Sequence, residues 1–69
     1  MPLKPITNLK DEIVAKRNQI LSLELPMQSL RIAERKAWAK FRASKTNENR
    51  VTFYGIRAAI SIYENGGAA

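Results

Sequence analysis

Proline at position 26 divides the helical signal of this chain in two. A proline has no N–H to give a helix, its ring crowds the turn before it, and the residue ahead of it is pushed out of the helical region. Any helix arriving from the N-terminal side must therefore stop or kink within Ser22–Leu25. Pro26 itself suits the first turn of a new helix, where a missing donor costs nothing. The stretch that follows, Pro26 to Ser44, has the steadiest helical period in the chain and is rich in Ala, Arg, Lys and Glu. At about 100° per residue, Met27, Leu30, Ala33, Ala37 and Phe41 share one arc and Trp38 stands at its edge. Arg31, Arg35 and Arg42 lie together just beyond Trp38, while Lys36 and Lys40 border the other side. Glu34 falls inside the apolar arc, so it needs a partner such as Arg31 or Trp38, because an unpaired buried carboxylate is strongly destabilising.

The segment before the proline reads as a helix from about Asn8 to Leu23, with Asn8 as N-cap and Asp11 and Glu12 at the positive end of its dipole. Leu9, Ile13, Ile20 and Leu23 form one stripe; Val14, Leu21 and Leu25 form a second. Steps of three and four through Leu9, Ile13, Lys16, Ile20 and Leu23 also trace a short heptad seam, with Lys16 at one core position. Ser44 to Asn49 is polar and reads as a loop. Val51, Thr52, Phe53 and Tyr54 favour a strand by propensity. Ile56 to Tyr63 fits a third helix stopped at Asn65–Gly66, and alternatively a strand pairing with 51–54. The expected fold is thus mainly α: a small two- to three-helix domain with an antiparallel helix pair, about 8–23 and 27–43, and room for a short C-terminal strand segment. Residues 1–69 form one domain in this reading, with 1–5 and 66–69 as flexible ends.

A chain of 69 residues buries only about 60% of the surface that its unfolded form exposes. It has neither cysteine nor histidine, so disulfides and thiolate or imidazole metal ligands are excluded. Small domains without such staples gain stability from regular packing or association. A homo-oligomer or a larger complex is therefore expected, with Leu9, Ile13, Ile20 and Leu21 as its interface. No enzyme is expected. Only Asp11 and Glu12 are adjacent among the carboxylates, and neighbours on a helix do not face each other. The serines have no histidine to activate them, and Gly55, Gly66 and Gly67 make no phosphate-binding loop. No metal or other cofactor is implied. No uncharged run is long enough to enter a bilayer as a span, and Met1 to Leu9 lacks the apolar core of a signal peptide, so cytoplasmic placement is expected.

The formal charge of +6 and a pI near 10.2 favour an anionic partner, nucleic acid or an acidic protein surface. The residues that best fit such a partner are Arg31, Arg35, Trp38 and Arg42, with Lys45 and Arg50 flanking the polar loop. Guanidinium groups one helical turn apart can follow a phosphate backbone with bidentate pairing, and an indole can stack on an exposed base. The same residues equally suit a solvated flank beside a core-closing tryptophan. A helix-turn-helix is absent, because the first helix is long and no glycine marks the turn. Two functions follow. One is a basic protein that binds nucleic acid, as a regulator or packaging component. The alternative is a structural or adaptor subunit, a viral particle component included, without direct nucleic-acid contact.

Overall fold

A computed structural model describes residues 8–66. Three helices fill them: α1 (Leu9–Ser22), α2 (Met27–Ala43) and α3 (Asn47–Glu64). Of the flexible ends expected at 1–5 and 66–69, all but Gly66 lie outside the described residues, and no strand occurs among those described. None of the three helices is long and apolar enough to cross a membrane.

α1 starts where a side-chain cap is available. Asn8 has an extended backbone and its Oδ1 accepts from the Lys10 N–H at 3.0 Å, with Asp11 and Glu12 in the first turn. The helix closes with the Leu23 and Glu24 N–H groups donating to the carbonyls of Ile20 and Leu21, both at 3.1 Å. Pro26 stands as the N-cap of α2, one position earlier than the first-turn placement expected of it.

The polar run 44–49 is not a loop throughout. Only Ser44 to Thr46 connects α2 to α3. Thr46 caps α3 by accepting from the Asn49 N–H at 3.1 Å, and Glu48 adds a negative charge in the first turn. The Asn49 side chain reaches back and donates to the Ser44 carbonyl at 2.8 Å. One asparagine therefore serves both the start of α3 and the end of α2.

α3 then runs unbroken through Val51–Tyr54, where propensity alone favours a strand. The local preference is worth tenths of a kcal/mol per residue, whereas burying a large apolar side chain is worth about 1.5–3 kcal/mol. Helical spacing places Val51, Gly55, Ile56, Ala59 and Ile60 inside the protein, with Phe53 on the adjoining face. α3 carries six of the nine buried residues, against one from α1 and two from α2. It is the core element.

Pairing follows from this. α1 and α2 each pack on α3, and no Cα of α1 comes within 8 Å of one in α2 among the described residues. The antiparallel pair is α2 with α3: Arg31 meets Glu64, Glu34 meets Arg57 and Trp38 meets Phe53 as one strand of residue numbers rises and the other falls. The pairing of 8–23 with 27–43 is replaced because α3 offers apolar surface over more than half its circumference and can serve both helices. Ile20, Leu30, Ala37, Phe53, Ile56, Ala59 and Ile60 make one cluster, with Leu21, Leu25, Met27, Ala33, Phe41 and Tyr63 packed at its margin.

α1 crosses α3 closely at Gly55. A methyl group there would stand 2.5 Å from Lys16 Cγ and 2.8 Å from Lys16 Cβ. This explains a lysine at a seam position: its aliphatic stem lies on the bare glycine. Gly55→Ala would gain about 1 kcal/mol in helix propensity and lose about 1–3 kcal/mol in overpacking, since the clashing atoms sit at the root of Lys16 rather than its tip. We expect a net loss of up to about 2 kcal/mol, read as a lowered urea midpoint at unchanged slope. An alanine variant as stable as the parent would show that α1 does not dock this tightly.

Candidate nucleic-acid interface

The sequence-predicted residues come together on the face shared by α2 and the first half of α3. One-turn spacing on α2 aligns Arg31, Arg35, Trp38 and Arg42. Lys45 follows in the connection, and Arg50 projects from the first turns of α3. Trp38 is 44% exposed, so it both closes the core and meets solvent.

What holds the indole is aromatic packing. Its centroid lies 5.1 Å from Phe53 at a 36° tilt and 6.1 Å from Phe41. Phe41 and Phe53 stack at 6.0 Å and 20°, and Tyr54 lies 5.4 Å from Phe53. Such pairs stabilise by about 0.5–1.5 kcal/mol beyond the area they bury. Three guanidinium groups are set over these rings: Arg42 over Trp38 at 5.9 Å, Arg50 over Phe41 at 5.9 Å and Arg57 over Phe53 at 5.6 Å. Each contact is worth about 0.5–1 kcal/mol at exposed sites and restrains an otherwise mobile side chain.

Two concavities flank Trp38. One, of about 410 Å³, is lined by Arg31, Glu34, Arg35, Trp38, Phe53 and Arg57. The other, of about 420 Å³, is lined by Trp38, Phe41, Arg42, Lys45 and Arg50. All six predicted binding residues line one or the other.

Arg57 was missed. Reading 51–54 as extended broke the helical phase between Arg50 and Arg57, which stand seven residues and two turns apart on α3. The phase of Val51, Gly55, Ile56 and Ala59 was the signal that could have joined them.

Glu34 finds its partner on α3 rather than on its own helix. Its carboxylate lies 3.7 Å from Arg57 Nε, with the side chain 31% exposed. Arg31 Nη2 donates to Glu64 Oε2 at 2.7 Å, a pair open to solvent on both sides. Exposed pairs of this kind stabilise by at most about 1 kcal/mol. Arg35, Arg42, Lys45 and Arg50 have no carboxylate partner among the described residues. Six cations against two carboxylates leave the face strongly positive, with its unopposed charge concentrated at the Arg42 end.

The four residues expected at an oligomer interface are spent largely inside the chain. Ile20 is buried in the core, Leu21 packs against it, and Leu9 and Ile13 are half-buried. The exposed apolar residues of the α1 region are Val14 and Leu23, the latter 60% exposed. Leu23 stands at the mouth of a groove of about 260 Å³ with Ile20, Leu25, Leu30, Ala33 and Ile56 along its walls. Among the described residues no group of three or more carboxylates could hold a metal ion.

Comparison with protein-family models finds no match, and comparisons with curated proteins and with solved structures find none either.

The packing predicts two distinct mutational costs. Phe53→Ala removes the buried ring on which Trp38, Phe41 and Tyr54 converge and should cost about 3–4 kcal/mol. Trp38→Ala should cost about 1–2 kcal/mol, because much of that ring is already in water. Urea unfolding of the two variants checks the order; a larger loss at Trp38 would mean that the indole, not Phe53, anchors the cluster.

Proposed function

We propose that this chain is a non-enzymatic nucleic-acid-binding protein that takes a polynucleotide on the face of α2 and the first half of α3, in regulation or packaging within the cytoplasm. The observation that carries this reading is the half-exposed Trp38 between two arginine-lined concavities. Arginines restrained over aromatic rings lose less side-chain freedom on meeting phosphate than free ones would. Four cations without carboxylate partners are free to replace the counterions of a nucleic-acid backbone.

Fluorescence anisotropy with labelled probes over a salt series tests it. Each lost phosphate contact should lower the slope of log affinity against log salt by about 0.7–0.9. Arg42→Ala should therefore weaken binding to every probe sequence and flatten the slope by about that amount, since a phosphate contact carries no sequence information. Folded protein that binds no probe at low salt would reject the reading.

A second reading, a subunit of a homo-oligomer, is favoured by Leu23 at the mouth of the apolar groove on the far flank of α3. Both readings are compatible in one molecule, because that groove shares no residue with the Trp38 face. Sedimentation at micromolar concentration should find a dimer or higher species, and Leu23→Asp should shift it to monomer. A parent chain that is monomeric at all concentrations would remove this second reading.

A further inference from the structure

We infer that the ligand of the Trp38 face is single-stranded, with a base held in the Glu34 concavity and phosphate held in the neighbouring one. The inference rests on the nucleic-acid reading and goes beyond it by dividing the face into two unlike halves.

The halves share Trp38 as a wall but differ in charge chemistry. The side formed by Phe41, Arg42, Lys45 and Arg50 carries three cations and no carboxylate. It suits a phosphate, which needs positive charge and donors. The other side is lined by Glu34, Arg31, Arg35 and Arg57 beside the packed rings of Trp38 and Phe53. Its three guanidinium groups outnumber the one carboxylate, but Glu34 gives it an acceptor that the other side lacks, able to take an exocyclic amino group as acidic side chains do with cytosine N4. Apolar aromatic walls with a fixed acceptor and nearby donors match a base rather than a backbone.

Duplex DNA cannot use this arrangement. Its bases are stacked on one another, so neither their faces nor their Watson–Crick edges reach a pocket in a protein surface. A duplex reader instead presents protruding side chains to a groove. Here the guanidinium groups of Arg42, Arg50 and Arg57 lie over rings of the protein itself. Arginine planes and aromatic rings are the two platforms on which splayed single-stranded bases stack. Arg42 lies over Trp38 on the phosphate side, which leaves the Glu34 side of the indole to an arriving base.

Trp38 is the only tryptophan, so its fluorescence reports the site directly. The experiment titrates the full chain with oligo-dC, oligo-dT and a blunt mixed-sequence duplex of about twelve nucleotides, a length within the site sizes of small single-strand binders. Single strands should bind at least about tenfold tighter than the duplex at equal salt and quench the Trp38 emission. Oligo-dC should bind tighter than oligo-dT, a preference that Glu34→Gln reduces by removing the charged acceptor. Lys45→Ala and Arg50→Ala should weaken both oligomers alike and leave their ratio unchanged. Duplex binding as tight as single-strand binding, or single-strand binding that leaves the emission untouched, overturns this inference while the nucleic-acid reading stands. An oligo-dC to oligo-dT ratio that follows Lys45 or Arg50 instead of Glu34 overturns the assignment of the two halves. Binding of no probe at all overturns both. Circular dichroism of each variant confirms that the helices are intact.

Discussion

At Gly55 the backbone of α3 meets the stem of Lys16 with no side chain between them. That close approach seats α1 on one flank of α3, and α2 has only the other flank left to use. The rest of the architecture follows. α3 must be apolar over more than half of its circumference, and it is the helix that holds most of the buried residues. The narrow polar strip it retains carries Tyr54, Arg57 and Ser61, all exposed. One of these, Arg57, is in turn placed where it completes the candidate site.

This arrangement also explains what could be read from residues alone. Pro26 and Asn8 mark their boundaries by local chemistry, a missing donor and a side-chain acceptor, so α1 and α2 were legible almost to their ends. The second half of α3, Ile56 to Tyr63 with its stop at Asn65–Gly66, was legible as a helix; its first half was not. Val51, Thr52, Phe53 and Tyr54 favour a strand on propensity, and the forces that override them are long-range burial against α1 and α2.

The same distinction applies to the candidate site. Arg31, Arg35, Trp38 and Arg42 share one helix at one-turn spacing, so a helical wheel brings them together without any knowledge of tertiary structure. Lys45 and Arg50 follow by proximity in the chain. Arg57 and the pairing of Glu34 with it depend on how α2 lies against α3, which no local pattern encodes. Glu34 looked like a flaw in an apolar arc and is instead the one acidic group in a basic concavity. It gives the two sides of Trp38 different chemistry.

The backbones of α1 and α2 stay more than 8 Å apart at every Cα among the described residues and meet only through side chains over α3, as Ile20 and Leu30 do in the core cluster. Every ring of the aromatic cluster and every residue lining the two concavities belongs to α2, α3 or the three residues joining them. Asn49 and Thr46 hold that junction with their own hydrogen bonds. The Trp38 face therefore draws none of its side chains from α1, so a substitution on the outer surface of α1 leaves its lining unchanged.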